Sequence, residues 1–437
     1  MKILLIKPRW FVKGGVYRYL EKIKFAPLHI AVIAALSEGH DVKLVDNDWE
    51  DIPYQERFDL VGITATTFTS ERVYQIARHF RRQGSKVVLG GVHPTLLPDE
   101  CLKHADAVVV GEAEYVWSEL LKDMAAGRLK KVYHNPTPVD MDHVPFPRRD
   151  LLNEDYRVAT IQATRGCPNT CNFCYLASMP WAAYRKRDIN LVYEELKQLK
   201  QKVFFFVDDN LFGDEEYVIK LCERIAPLKK AWSVQAPMNI ANNERMLSKM
   251  KQAGCFNVQI GFQTVNPSSL EWASIRQNKV EKYRSVVNKL HRHNILVVGF
   301  FIFGFDYDDK RIFDRTLGII KQLDLDDAHL YILTPYPGTK LYDKFKQEGR
   351  LLAGKDRTHY GWVSAVYQPK LMSPGELERG VQQMYQKLYS HMRARAPFKM
   401  FRRLGLFLRN PRLLKLVIEG TLQDSDISKQ VVPDDLS

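Results

Sequence analysis

Residues 157–176 read RVATIQATRGCPNTCNFCYL, and this stretch places three cysteines directly after an apolar run of strand length. The cysteines are Cys167, Cys171 and Cys174, separated by three and then two residues. Thiolates are soft ligands that hold iron–sulfur clusters. A [4Fe–4S] cluster has four irons, so three cysteines leave one iron without a protein ligand. An open coordination position is typical of a catalytic centre rather than a structural one.

Two other interpretations of the cysteines are weaker. Structural zinc takes four ligands, and no nearby His or Cys supplies the fourth. Three unrelated structural thiols are disfavoured by the position after a strand and by Gly166, which frees the loop backbone. Of the remaining cysteines, Cys101 lies apart, whereas Cys222 in a predicted helix and Cys255 at the start of a predicted strand look like core residues.

The cysteine stretch opens a series of about six strand–helix units. Eight such units would close a full barrel, so the sequence predicts a partial (βα)6 TIM-like barrel over residues 151–345 with its chemistry at the carboxyl ends of the strands. Residues 346–420 are predicted to form a helical C-terminal domain, and the polar residues 421–437 a disordered tail.

A second α/β unit precedes the barrel. Near-continuous apolar strands alternate with helices over residues 1–134, which predicts a doubly wound, Rossmann-like parallel sheet that binds ligands at its strand ends. The proline-rich residues 135–150 are interpreted as a linker.

The composition of the 437-residue chain, with 45% hydrophobic and 26% charged residues, is typical of a globular protein. No apolar run reaches the ~18–20 residues of a membrane span, and MKILLIKP reads as a strand rather than a signal peptide, so a cytoplasmic location is expected. The net charge of +13 is partly local, because residues 391–415 mix basic and apolar side chains without any acid. That segment is a surface helix, a contact with a membrane or lipid substrate, or, least favoured, a nucleic-acid patch.

The stretch CPNTCNFCY resembles the C-x3-C-x-aromatic-C motif of radical S-adenosylmethionine enzymes, including the aromatic Phe173. The resemblance implies that the methionine part of S-adenosylmethionine chelates the open iron. One-electron cleavage would then give a 5′-deoxyadenosyl radical that abstracts a substrate hydrogen. A reductant such as flavodoxin or ferredoxin is the implied electron donor.

The same resemblance implies contacts with S-adenosylmethionine at the strand ends. A carboxylate after the second strand suits the methionine ammonium group, although it could equally cap the next helix. In the fourth strand a Gln stands where relatives usually have Glu, and Gly304 could either admit adenine or serve packing. The predicted S-adenosylmethionine-binding residues are Phe173, Asp208, Asp209, Gln235, Gln263 and Gly304, and Tyr336 is a weaker candidate for substrate contact.

The first unit resembles the cobalamin-binding domain found in front of many radical S-adenosylmethionine enzymes. No G-x-G-x-x-G follows its first strand, which disfavours a dinucleotide site. Its strands end in ITATTFTS, LGGVHPTLLP and VVGEAE. The predicted cobalamin-binding residues are Thr64, Thr66, Thr67, Gly90, Gly91, His93 and Glu112.

One departure concerns cobalt ligation. Cobalamin domains that ligate cobalt carry D-x-H-x-x-G after the first strand, whereas KPRWFVKGGVYRYL contains no His. The expectation is therefore base-off cobalamin without a protein histidine on cobalt. His93 is interpreted as lining the corrin or as structural, and a domain that has lost its cofactor is a further possibility.

These resemblances imply methylation of an unactivated carbon of a small-molecule or lipid substrate. One S-adenosylmethionine would methylate cob(I)alamin, and a second would supply the radical. The alternatives are a cyclisation or rearrangement enzyme that uses both cofactors without methyl transfer, and a non-catalytic cobalamin or redox sensor. A nucleic-acid substrate is not expected, because no RNA-binding appendage is recognisable.

Overall fold

A computed structural model of the chain describes residues 1–9, 25–179 and 182–402, with side chains up to residue 392. The first sheet has six parallel strands in the order β2-β1-β3-β4-β5-β6. These strands are β1 (Lys2–Lys7), β2 (Asp41–Asp46), β3 (Leu60–Thr64), β4 (Lys86–Gly90), β5 (Ala107–Val110) and β6 (Val132–His134). The helices beside them are α1 (Leu28–Ala35), α2 (Ser70–Arg82), α3 (Val92–Leu96), α4 (Pro98–Leu102) and α5 (Trp117–Ala125).

Helices cover both faces of this first sheet, because its strands are apolar on both sides. Leu5 and Val88 pack with Trp117 on one face. Leu4 and Leu89 pack against α2 on the other. The predicted doubly wound architecture is confirmed, and the short β6 was not anticipated from the sequence.

The second sheet also has six parallel strands, in the order β7-β10-β11-β12-β13-β14, and it confirms the predicted partial barrel. A short antiparallel pair, β8 with β9, brackets the cysteine loop. The strands are β7 (Val158–Ile161), β8 (Thr164–Arg165), β9 (Arg185–Lys186), β10 (Val203–Phe206), β11 (Ala231–Ala236), β12 (Cys255–Gln263), β13 (Leu296–Phe303) and β14 (Asp327–Ile332). The helices are α6 (Ile189–Gln198), α7 (Glu215–Ile225), α8 (Glu244–Gln252), α9 (Pro267–Trp272), α10 (Tyr283–Arg292) and α11 (Ile312–Leu323).

The two faces of β12, β13 and β14 differ in burial. Residues that point outward to the helices, such as Ile260, Phe301 and Leu330, are fully buried. Residues that alternate with them, such as Phe300 and His329, are half-buried. Side chains alternate between the faces of a strand, so the inner face, toward the lumen of the partial barrel, is packed less tightly than the outer face.

Both edges of the partial barrel are covered. At β7, Phe25 pairs with Val158 and the Thr160 hydroxyl donates to the Ala26 carbonyl at 2.7 Å. At β14, the Leu330 N–H donates to the Tyr385 hydroxyl at 2.8 Å. Covering an edge removes a template for unwanted strand pairing.

Tyr385 belongs to the C-terminal helical region, which contains α12 (Lys340–Gln347) and α13 (Pro374–Arg402). The described residues include no helix long and apolar enough to cross a membrane. Apart from residues 391 and 392 and the α13 backbone, the basic segment 391–415 lies outside the described residues, as does the predicted disordered tail.

Candidate active site

The carboxyl ends of both sheets open into one cavity of about 650 Å³. The first sheet contributes residues after β3, β4 and β5, among them Thr64, Gly90 and Glu112. The second contributes the ends of β7 and β10 and part of the cysteine loop. The stretch interpreted as a linker also forms part of the wall, since Met141 and Val144 line the cavity. The two units therefore share a site at the edge where parallel sheets bind ligands.

The cysteine loop is anchored at both of its ends. Gly166 has φ +83°, and a Cβ there would lie 2.3 Å from the Ala183 carbonyl oxygen, so only glycine fits. The Cys167 N–H donates to the Ala182 carbonyl at 3.2 Å. Beyond Cys171, the Asn172 side chain donates to the Trp272 carbonyl at 2.7 Å.

Amide groups from distant elements reach two of the three sulfurs. Asn210 Nδ2 lies 3.4 Å from Cys167 Sγ, and Gln277 Nε2 lies 3.8 Å from Cys171 Sγ. Amide donors stabilise thiolates and tune cluster potentials. Burial raises the pKa of the Cys174 thiol to about 11, so cluster binding has to displace its proton.

The donor set fits an iron–sulfur cluster. All three cysteines are free and partly accessible. No group of three His, Cys, Asp or Glu side chains in the described parts of the chain is placed to hold a single metal ion. A four-iron cluster is larger than one ion and spreads its cysteine ligands further apart. The triad with its amide donors is therefore suited to a cluster.

Asp208 does not face the lumen, contrary to its predicted contact with the methionine ammonium group. Its fully buried carboxylate accepts from the Ala163 N–H at 3.1 Å, from the Thr164 hydroxyl at 2.7 Å and from the Thr164 N–H. These bonds fix the backbone that enters the cysteine loop. Burial raises the pKa of Asp208 to about 7 despite these donors.

Asp209 lines the cavity and also supports the loop. Its carboxylate accepts from the Gly166 N–H at 2.9 Å. Burial raises its pKa, while the Gly166 N–H and Arg165 oppose the shift. Asp209 is therefore the acid of this pair that a ligand in the cavity can reach.

Gln235 and Gln263 lie at the strand ends where the sequence predicted them. Gln235 is exposed at the end of β11, beside Gln259 of β12. Gln263 ends β12 at a bulge with φ +66°, and its amide folds over Gly261, where an added Cβ would lie 2.2 Å from Gln263 Nε2. A non-glycine residue held at positive φ is strained, and such strain concentrates at functional sites.

Gly304 is closely packed against residues that follow the barrel. A Cβ at Gly304 would lie 2.4 Å from the Tyr367 hydroxyl and 2.7 Å from Leu377. Close packing therefore accounts for this glycine, and the adenine contact predicted for it stays a prediction.

Phe173 and Tyr336 both lie beside the cysteine loop. The Phe173 ring packs edge-on to Phe305, with centroids 6.2 Å apart. Burial raises the pKa of Tyr336 well above its usual value, and Tyr175 and Cys174 add to the shift from close by. Tyr336 is therefore close enough to Tyr175 and Cys174 to interact with them electrostatically, and its contact with substrate stays a prediction.

The predicted cobalamin-binding residues divide into two groups. The cavity is lined by Thr64, Thr66, Gly90, Gly91 and Glu112, whereas Thr67 and His93 are buried away from it. His93 Nε2 lies 2.9 Å from the Tyr74 hydroxyl and 3.4 Å from a Glu100 carboxylate oxygen, on the side of α2 and α4. Of its two interpretations, the structural one fits this position.

Glu112 joins the two units by ion pairs. Its carboxylate accepts from Arg165 and Arg185 at 2.9 Å each, and from the Val139 N–H at 2.8 Å. Burial would raise its pKa, but the bonds from Arg185, Val139 and Arg165 hold it below the usual value. Glu112 therefore fixes the geometry of the cavity in addition to lining it.

His29 was not identified from the sequence. Of the histidines in the described ranges, it alone lines the cavity. Its side chain is exposed within the cavity, and partial removal from bulk solvent there, with a smaller contribution from Lys7, lowers its pKa. The imidazole is therefore neutral at physiological pH. The APLHI sequence gave no signal beyond the histidine itself.

Comparison with known proteins agrees with this arrangement. Residues 161–318 match the Radical SAM superfamily and residues 24–121 the B12 binding domain. Bacteriochlorophyllide d C-12(1)-methyltransferase of Chlorobaculum tepidum is 31% identical over 378 residues, covering 83% of this chain and 82% of that protein. Anaerobic magnesium-protoporphyrin IX monomethyl ester cyclase of Rubrivivax gelatinosus is 27% identical over 439 residues, covering 89% of this chain and 77% of the cyclase.

The fold is also shared with a solved structure. TsrM from Kitasatospora setae, a radical S-adenosylmethionine methyltransferase with cobalamin and a [4Fe–4S] cluster bound, superimposes with a TM-score of 0.66 at 17% identity, covering 87% of this chain and 85% of TsrM. The two family matches thus fall on the two sheets that share the cavity, and a relative of 31% identity covers 83% of the chain. The chain belongs to the cobalamin-binding radical S-adenosylmethionine enzymes.

Proposed function

We propose that this enzyme methylates an unactivated carbon of a small organic substrate. The observation that carries the proposal is the single cavity between the cysteine loop and the glycine-rich end of the first sheet. Bound together, the cofactors supply a methyl group on cobalt and a radical from one-electron cleavage of S-adenosylmethionine. The protein has to hold both against one substrate carbon and exclude water.

The described residues support separate tasks in this reaction. Cys167, Cys171 and Cys174 would hold the cluster. Asp209 and Gln263 present polar groups at the ends of their strands, where the methionine part of S-adenosylmethionine would lie. Gly90 leaves open space above β4 for the corrin, because a Cβ there would come no closer than 3.9 Å to Val109.

The lumen offers an aromatic wall for the substrate, formed by Phe68, Phe300, His329, Tyr331 and Trp362. The rings follow one another with centroid distances of 5.3 Å from Phe300 to His329, 5.8 Å from Phe300 to Tyr331 and 6.0 Å from Tyr331 to Trp362. Phe68, from the first unit, lies 5.2 Å from Trp362. Aromatic rings favour flat, apolar partners, and the two curated relatives named above act on tetrapyrroles by name. A flat ring system is therefore the proposed substrate class.

The cobalamin is proposed to bind base-off and without a histidine on cobalt, since the segment after β1 contains none. Residues 10–24 of that segment lie outside the described residues. The electron paramagnetic resonance spectrum of bound cob(II)alamin should lack nitrogen splitting. Splitting that disappears in His29→Ala would instead identify His29 as a ligand.

The deciding experiment is turnover after anaerobic reconstitution with iron, sulfide and hydroxocobalamin. Methylation predicts both S-adenosylhomocysteine and 5′-deoxyadenosine, and a product heavier by one CH2. Formation of 5′-deoxyadenosine alone would favour the cyclisation or rearrangement alternative. A loaded protein that cleaves no S-adenosylmethionine after reduction would favour a sensor. Flavodoxin or ferredoxin as reductant and a membrane contact through residues 391–415 remain predictions.

A further inference from the structure

The loop between α9 and α10 contacts the cysteine loop beside one cluster ligand. Asn172, next to Cys171, donates its backbone N–H to the Ala273 carbonyl at 3.2 Å and its side chain to the Trp272 carbonyl at 2.7 Å. Four residues further on, Gln277 reaches Cys171 Sγ at 3.8 Å. The half-buried Gln277 thus links this surface loop to Cys171.

This loop is held rigidly against the barrel. The buried Asn278 side chain donates to the Gly261 and Phe262 carbonyls at 2.8 and 2.9 Å. Gln277 also lines a small surface cavity of about 80 Å³ together with Lys279, Lys282 and Lys289. The contact to Cys171 and the basic rim are therefore parts of one fixed surface.

The charges of this surface are predominantly positive and largely unpaired. Arg276, Lys279 and Lys282 are exposed, and none of them forms an ion pair within the part of the chain that the structure describes. Glu281 is the acid among them, and Lys289 is 3.6 Å from Glu244. Close by, Lys344 lies 4.7 Å from the centre of the Trp272 ring. Exposed cations without partners are available to an anionic partner.

We propose that the surface formed by residues 273–289 docks an acidic one-electron carrier protein that reduces the cluster through the Cys171 side. The proposal rests on the cluster assigned above. Its lumen side has to admit S-adenosylmethionine, so the outer loop is the free approach. One electron passes from the reduced carrier to the oxidised cluster, and no bond forms or breaks.

Charge complementarity suits this partner. Docking of a carrier is transient and steered by opposite charges, which speeds encounter and makes it sensitive to salt. The net charge of +13 belongs to the whole chain and does not by itself show where a carrier would dock. A second basic surface, formed by Arg78, Arg81, Arg82, Lys86 and Lys103, lies around a cavity beside the C-terminal end of α2. No contact to a cluster ligand links it to the cysteines, so it provides the matched control.

The test compares two double charge reversals in the full-length, cluster-loaded protein. Lys279→Glu with Lys282→Glu alters the proposed surface, and Arg78→Glu with Arg82→Glu alters the control surface. The probe is a purified acidic flavodoxin, whose affinity is measured by biolayer interferometry at low and high salt. The first pair should weaken binding about tenfold at low salt and flatten its salt dependence. The control pair should change affinity by less than about twofold.

Reduction kinetics provide a second readout. The first pair should slow cluster reduction by flavodoxin hydroquinone, followed optically, and leave reduction by dithionite unchanged. Equal loss of affinity in both pairs would show that binding follows net charge and would overturn the proposal. Loss only in the control pair, or competition by RNA with equal affinity, would also overturn it. Failure of wild type to take up iron would instead defeat the proposed function, and carrier binding by that protein would still be measurable.

Discussion

The two six-stranded parallel sheets of this chain meet at the same cavity but use their strands differently. The first sheet is packed on both faces, so only the loops beyond its strands can reach a ligand. The second is packed on its outer face alone, and the inner residues of β12 to β14 remain half-buried. One sheet presents a ligand site at its edge, whereas the other encloses one.

This difference explains how two cofactors can be handled by one cavity. A packed sheet offers a stable platform against which a large flat group can lie without entering the core. A hollow sheet surrounds its ligand and can exclude water from a radical. Substitutions at the ligand residues of one sheet should therefore affect the cofactor of that sheet and not the other cofactor. The ion pairs of Glu112 should couple the stabilities of the two sheets.

The largest expected effect separates the two cofactors. Cys171→Ala should abolish cluster binding and the cleavage of S-adenosylmethionine to 5′-deoxyadenosine, because the other described cysteines, Cys101, Cys222 and Cys255, are buried elsewhere in the fold. Cobalamin binding should persist, since its proposed contacts belong to the first sheet. Iron content and the optical spectra of reconstituted protein measure both. Cys222→Ala, inside buried α7, is the control and should keep the cluster; loss of cobalamin in Cys171→Ala would contradict independent sites.

A pH effect is expected at the entrance to the cysteine loop. The pKa of Asp208 is about 7 in the folded state and near 3.8 when exposed, so the folded protein holds the proton more tightly. The protonated Asp208 therefore makes its full contribution to the free energy of unfolding below pH 4. This contribution, up to about 4 kcal/mol, is lost as the pH rises to 7. Asp208→Asn retains one acceptor oxygen and cannot ionise.

Denaturant unfolding of the cofactor-free protein at pH 5 and pH 8 checks this effect. The stability of Asp208→Asn relative to wild type should rise between the two pH values. Asp214→Asn is the control, because that carboxylate is one third exposed (33%) and its pKa is lowered, chiefly by the hydrogen bond from Lys186. If the stability difference between Asp208→Asn and wild type were the same at both pH values, the Asp208 carboxyl group of the wild type would not be ionising over this range.

Asp208 also shows where sequence reasoning reaches its limit. The alternation of strands and helices, the two parallel sheets and the cysteine triad followed from periodicity and spacing, which are local. The partners of Asp208 lie 44 and 45 residues away, and Gln277 is 106 residues from Cys171. Which way a strand-end carboxylate turns depends on such contacts. The same holds for His93, which faces Tyr74, and for His29, whose place in the cavity wall depends on the folded chain.

Linkage between the sheets is tested at Glu112. Glu112→Ala leaves Arg165 and Arg185 partly buried with fewer partners, and should cost about 2–3 kcal/mol in the free energy of unfolding. The cost stays moderate because Arg165 keeps Glu114. Glu119→Ala, which breaks an exposed pair with Lys130, should cost less than about 0.5 kcal/mol. Thermal unfolding should show two transitions in Glu112→Ala only; a single unshifted transition would show that other contacts join the sheets.

The smallest effect distinguishes two neighbouring glycines at the edge of the first sheet. Gly91 has φ +103°, and a Cβ there would lie 2.9 Å from the Ala65 carbonyl oxygen, so Gly91→Ala should destabilise the fold by about 1–2 kcal/mol. Gly90 has room for a methyl group, with Val109 at 3.9 Å. Gly90→Ala should therefore leave the melting temperature nearly unchanged and weaken cobalamin binding several-fold, because the methyl group enters the cavity. Titration with hydroxocobalamin separates the two effects: if Gly90→Ala binds cobalamin as wild type does, the corrin does not lie over the end of β4, and the platform role of the first sheet is wrong.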